Sequence, residues 1–299
     1  MNDEPQDKPG SKLAASLRRS PFSPRTLLGI VMTSLTFLCA AIAILPLVAV
    51  LSYVVVQGAS RLNLMVFKEL PPPPLVQGGG FGNAIVGTLI MVGIAVLISI
   101  PFGIMAAIYL SEFSSGRLAA GVRFATNVLS GVPSIIVGVF AYGVVVLTFG
   151  SYSAWAGGFA LSILMLPIVV RATEEALKLV PQEIRQASVG LGGTSFQTVS
   201  RVVLPAALPA IVTGTTLAVA RAAGETAPLL FTALFTQYWP NWNNGLMEPT
   251  ASLPVLVYNF ATVPFKNQQE LAWAASFILV LLVLVTSVLS RLATARRVY

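Results

Sequence analysis

PQEIRQASVGLGGTSFQTVSRVVLPAALP, residues Pro181 to Pro209, is a polar stretch set between two apolar runs. Pro181 suits the first position of a helix, where a missing N–H is no loss. Ile184, Ala187 or Ser188, and Leu191 follow at the spacing of one helical face. Gly192 and Gly193 end that helix, because glycine enters the left-handed backbone that closes a helix at little cost. Thr194 followed by Gln197 reads as a capping box opening a second helix. Pro205 and Pro209 then mark the passage into the next apolar run. A helix–turn–helix in this position is either an interfacial connector or a docking surface, and its local geometry leaves both open.

The chain around it is built for hydrocarbon. Hydrophobic residues make up 56% and charged residues 10%, against roughly 25% charged in a soluble domain. Apolar runs at Leu27–Val56, Asn83–Leu110, Gly121–Phe149, Ser153–Arg171, Ala206–Phe235 and Leu271–Leu292 each hold about twenty or more residues, enough for ~30 Å of hydrocarbon. The fold class expected is therefore all-α: a polytopic membrane protein with six transmembrane helices over residues 27–299, preceded by a polar tail at 1–26. The run from Leu27 is too long for the apolar core of a signal peptide and reads as an uncleaved first span. Leu253–Val263 is apolar but too short to cross, so it is expected to lie along the surface or dip partway in. The run Gly78-Gly79-Gly80 has no strand before it and reads as a flexible hinge, not a phosphate cradle.

Several functions fall away on composition. The net charge of +7 is strung between spans rather than gathered on one face, so it reads as a topology signal and not as a nucleic-acid surface. The absence of histidine removes the commonest metal ligand and general base. The single cysteine, Cys39, lies in the first apolar run and permits no intrachain disulfide. No G-x-x-x-x-G-K-[ST] loop is present, so the chain is expected to be neither an enzyme nor the holder of a metal or cofactor. With the N-terminus inside, the inner side carries most of the arginines and lysines, among them Arg18, Arg19, Arg123, Arg171, Lys178, Arg185, Arg201 and Arg296. The outer side carries only Arg61, Lys68 and Lys266. The positive-inside rule then puts both termini, and the loop at about 172–205, in the cytoplasm.

One span contains charge well away from its ends. Arg221 follows Ile211 by about ten residues, or ~15 Å of helix, and Glu225 comes four residues later, on the same helix face. Each charge alone near the bilayer centre costs about 2.5–3.5 kcal/mol. A mutual pin that locks the helix in a bundle is one explanation; a route for an anion, lined by Arg221, Glu225 and Thr226, is the other. Because the pair is neutral, the second explanation requires a further basic group from elsewhere. Gly224 and Pro228 flank the site and predict a kink, and Gly131-Val132-Pro133-Ser134 predicts an interruption in the third span, where Ser134 and Gly138 would let helices approach closely.

Two resemblances follow from these motifs. Ala187-Ser188, three residues, Gly192, nine residues, then Val202-Val203-Leu204-Pro205 resembles the EAA loop of ATP-binding-cassette (ABC) importer permeases, with Gln186 at the Glu position. The resemblance implies that Ile184, Gln186, Ala187, Ser188, Leu191, Gly192, Leu204 and Pro205 belong to a coupling element seated on a cytoplasmic ATPase. The string Arg221-Ala-Ala-Gly-Glu225-Thr226-Ala-Pro228-Leu-Leu230, with Gly131-Val-Pro-Ser134, is similar to the A-type permease subunit of the bacterial phosphate-specific ABC importer. That likeness implies a type I ABC importer permease fold in the bacterial inner membrane and a route for inorganic phosphate past Arg221 and Glu225. It also implies a heterodimer with a second, homologous permease, two ATPase subunits holding ATP and Mg, and an external phosphate-binding protein. A permease for sulfate or molybdate, an ion-coupled secondary transporter and a membrane scaffold are the alternatives.

Overall fold

The computed structural model describes residues 24–113 and 116–295. The polar tail expected at 1–26 thus falls almost wholly outside the described residues, as do Arg296 and Arg297. Among the described residues every regular element is helical. Five helices are long and apolar enough to cross a membrane, and a bent pair raises the number to six if counted as one span.

Helix α1 runs Pro24–Ser60 with Pro46 inside it, and packing divides the chain within it, between Tyr53 and Val54. Before that division its large apolar side chains, from Leu27 to Leu51, are exposed. Such a helix is stable only where the surroundings are themselves apolar.

After the division, α2 (Gly82–Ile108) and α5 (Ala154–Lys178) form the centre. Met91, Ile94 and Ala95 of α2 and Leu161, Met165 and Val169 of α5 are buried in one cluster. Ser153 caps α5, accepting a 3.1 Å hydrogen bond from the Ala156 N–H. The same cluster takes in Ala218 and Ala222 from α7 (Leu204–Ala223) and Leu229 from α8 (Ala227–Thr232). Helix α9 (Leu253–Thr262) is the short apolar helix expected. It packs against its neighbours, with Leu253 and Leu256 buried beside Leu271 and Ala275 of α10 (Lys266–Ala295) and Val255 in the cluster of α2 and α5, and the Leu253 N–H donates to Thr88 Oγ1 of α2 at 2.8 Å.

Both expected interruptions are present, and one expectation needs correction. The stretch Gly121–Phe149 is broken where Gly131–Ser134 predicts it: α3 (Arg117–Gly131) and the helix starting with α4 (Ser134–Ala141) and reaching Phe149 meet at 105°. Pro133 cannot donate to the preceding turn, and Val132 before it is forced to extended backbone (φ −70°, ψ 128°). The stretch Ala206–Phe235 is likewise broken, since α7 stops at Ala223 and the chain re-enters a helix only at Ala227. The Gly78–Gly80 segment is not a free hinge. Asn267 Nδ2 donates to the Val76 and Gly78 carbonyls, Gln268 Nε2 to that of Pro72, and the Gly80 N–H to that of Leu70, which ties the loop to the start of α10.

The two interruptions meet. A Cβ on Gly138 of α4 would lie 2.6 Å from Pro228 Cα of α8, so the helix backbones touch where only glycine fits. Gly138→Ala should therefore overpack this crossing and destabilise by about 1–3 kcal/mol, seen as a lower Tm in detergent. Gly93→Ala, at a helical position with nothing within 4 Å, should leave Tm unchanged or slightly raised.

Candidate functional site

Helix α6, Gln182–Gly190, begins one residue later than expected, with Pro181 as its N-cap at φ −57°, ψ 144°. Its end is the glycine turn foreseen: Gly192 sits at φ +84°. The Gly192 N–H donates to Val189 O at 2.9 Å and the Gly193 N–H to Ser188 O at 3.0 Å, a Schellman closure that satisfies the last carbonyls. The Thr194 N–H donates to Gln197 Oε1 at 2.9 Å, and Thr194 Oγ1 accepts from the Gln197 N–H at 3.3 Å. That capping box opens Ser195–Thr198, which continues through a π-turn at Val199–Val203 into α7.

None of α6 is buried. Ile184, Ala187, Ser188, Leu191 and Gly192 come together on a shallow groove of about 570 Å³ shared with Arg201 and Val202. Leu191 is 91% exposed, and Ile184 and Val189 are exposed beside it. Gln186 is exposed outside that groove, Leu204 turns inward against the buried Leu177, Val203 and Ile211, and Pro205 is exposed at the start of α7. The loop thus separates into an outward apolar patch and an inward anchor.

Arg221 and Glu225 form an ion pair, with Arg221 Nε 3.5 Å from Glu225 Oε1. They do not share a continuous helix, however. Arg221 is in the last turn of α7, and Glu225 follows the break, its N–H donating to Ala222 O at 3.2 Å. A cation in a last helical turn also complements the negative end of the helix dipole. The pair is asymmetric: the Glu225 side chain is 16% exposed and that of Arg221 is 63% exposed. A neutral couple with its carboxylate tucked in and its guanidinium out presents a positive end to whatever lies beside it. Thr226 is half-buried within the break, and its carbonyl accepts from the Leu229 and Leu230 N–H groups that restart the helix.

A further cavity of about 370 Å³ lies toward the end of α5 that leads into α6, lined by Arg123, Asn127, Arg171, Glu174 and Lys178 among others. Arg123 Nε and Lys178 Nζ both reach Glu174 Oε1, at 2.8 and 3.1 Å, and Arg171 Nη2 donates to Asn127 Oδ1 at 2.6 Å.

Comparison with known proteins places this geometry. Residues 99–298 match the family described as binding-protein-dependent transport system inner membrane component. The chain belongs to that family. Its relatives include the phosphate transport system permease protein PstA of Yersinia pestis, 43% identical, with 84% of each chain covered. The protein of the same name from Haemophilus influenzae is 40% identical over 87% of this chain and 92% of its own. Among solved structures, a chain of a bacterial alginate ABC transporter, in complex with an alginate-bound periplasmic protein, matches with a TM-score of 0.61 at 18% identity. The match covers 91% of this chain and 95% of that one, a likeness of fold.

For a permease of this family, sequence reasoning found the turn, the break and the charge pair. It missed the partners of the basic residues: Arg123, Arg171 and Arg185 had been read as topology markers alone. The Glu174–Lys178 and Glu175–Lys178 spacings, each about one helical turn, carried a local signal. At the turn, Gly192→Val should strain the left-handed position and loosen the closure, raising amide hydrogen exchange at Leu191–Gly193 roughly tenfold for about 1–2 kcal/mol of strain. Gly192→Asn should show a markedly smaller rise.

Proposed function

We propose that this chain is the transmembrane permease subunit of an ATP-driven importer of inorganic phosphate. The observation that carries the reading is the Arg221–Glu225 couple at an interrupted helix, with its guanidinium turned outward. Charge at a helix break inside a membrane domain is tolerated where it lines a cavity. The names of the 37–43% identical relatives favour phosphate over sulfate or molybdate as the anion, and membership of a binding-protein-dependent family argues against both an ion-coupled carrier and a scaffold.

In this reading the N- and C-termini and α6 face the cytoplasm, as the distribution of arginine and lysine requires. The apolar patch of Ile184, Ala187 and Leu191 docks in a groove of an ATPase subunit, and a second, homologous permease faces the break. ATP and Mg sit on a pair of ATPase subunits, outside this chain. An external binding protein delivers phosphate from the other side. Closure of the ATPases pushes α6, and the spans rock from outward to inward opening. The anion then crosses past the exposed guanidinium, drawn by its charge and by at least one cation from the second permease, since Glu225 cancels Arg221. Glu225 holds Arg221 while the route is empty and gives it up, in part, to the anion. The chain itself makes and breaks no covalent bond.

Arg221→Gln keeps the polar head and removes the charge. In proteoliposomes holding the complete complex it should lower phosphate uptake by two orders of magnitude or more while ATPase subunits still co-purify. Loss of assembly instead would show the couple to be a structural pin. Uptake of labelled phosphate by the unaltered complex should withstand a hundredfold excess of sulfate or molybdate, and inhibition by either would reassign the anion.

A further inference from the structure

The outward patch of α6 explains docking but not how a push on α6 reaches the spans, because no residue of α6 is buried. The side chain that joins it to the body is Arg185. Its Nη1 donates to Val180 O at 2.6 Å, and its Nη2 donates to Leu177 O and to Glu112 Oε1, each at 2.9 Å. The ion pair is largely shielded, with 16% of the Arg185 side chain and 9% of that of Glu112 exposed.

The partners belong to two parts of the frame. Leu177 is in the last turn of α5, where its carbonyl also accepts from the Val180 N–H at 3.2 Å, and Val180 follows just after it. Both side chains are buried with Val203, Ala207 and Ile211 of the α7 segment. Glu112 lies in the π-turn Tyr109–Phe113 that prolongs α2, and its Oε1 also accepts from Ser111 Oγ at 3.1 Å. One planar guanidinium therefore bonds the ends of α2 and α5, the two helices at the centre of the fold. A second side-chain tie of α6 is the hydroxyl pair Ser188–Thr198, 2.9 Å apart, which leads forward to α7.

We infer that Arg185 is a positioning residue for energy coupling: it is the strut that carries displacement of α6 into α2 and α5 together. The inference rests on the coupling role proposed above for α6. Ile184, Ala187 and Leu191 line the outward groove while Arg185 does not, so docking and the tie to α2 and α5 are borne by different side chains of one short helix. A fork of fixed geometry suits the task. Lysine offers a single ammonium on a flexible stem and cannot span both carbonyls and the carboxylate in one plane.

The test uses the complete transporter in proteoliposomes, with the binding protein present, and reads ATP hydrolysed per phosphate delivered. Arg185→Gln should leave ATPase subunits co-purifying at the unaltered ratio and hydrolysis within about twofold. Uptake should fall, so that hydrolysis per phosphate rises ~10-fold or more, within the roughly 5–150-fold range typical of coupling between sites. Glu112→Gln, which keeps an acceptor without the charge, should give a smaller rise, and Arg185→Lys an intermediate one. If Arg185→Gln does not assemble, Glu112→Gln and Arg185→Lys still decide the matter. A proportional fall of uptake and hydrolysis would mark a merely structural residue and overturn the inference. So would an unchanged ratio, or loss of the ATPase from every variant. Absence of any ATPase from the unaltered complex would instead defeat the coupling role of α6 itself, and the two failures are thereby distinguished.

Discussion

In a membrane, backbone that leaves the helix must be satisfied by protein, because lipid offers no hydrogen bonds. That constraint organises this molecule. The chain leaves the helix at Gly131–Pro133 and at Gly224–Thr226, and the shorter helices beyond the breaks pack against each other where Gly138 touches Pro228. At the second break the Gly224, Glu225 and Leu229 N–H groups all find acceptors within the same segment. Interruption without such closure would cost several kcal/mol for each orphaned group.

The charge depends on the break. On an unbroken helix, Arg221 and Glu225 would be successive residues of one face, held at the same angle to the bundle. With the helix ending between them, the carboxylate folds inward while the guanidinium stays out on the surface of α7. A neutral couple of that shape costs less than a lone cation yet still offers a positive end, and an anion can compete for that end. The helix–turn–helix divides its labour in a comparable way. Its apolar residues face out, and its arginine at position 185 faces in, so a force applied to one side is felt at the ends of two buried helices.

Much of this was legible in the chain. The Gly192 closure, the Thr194–Gln197 box and the breaks at Pro133 and Pro228 follow from backbone chemistry confined to a few neighbouring residues, and each occurs where expected. What local chemistry could not supply was long-range. Nothing within Ser134–Ala141 says that Gly138 will meet Pro228, or that the bend before it will be 105°. Nothing near Arg185 says that its partner lies 73 residues earlier. The glycine run at 78–80 misled for the same reason, since its tethers come from Asn267 and Gln268, far along the chain. Basic residues were counted for topology, and counting hid that several are structural ties.

The most direct measurement asks whether the break around Arg221 lines an aqueous anion route. Thr226→Cys in a Cys39→Ser background would be treated, in the complete complex, with a small negatively charged thiol reagent, and Leu45→Cys, on the exposed apolar surface of α1, would serve as the lipid-side reference. The expected result is labelling at position 226 that changes in rate when ATP is turned over and slows when phosphate is being delivered, with position 45 inert. Position 226 silent in every state, or labelled at one rate regardless of ATP and phosphate, would contradict the route.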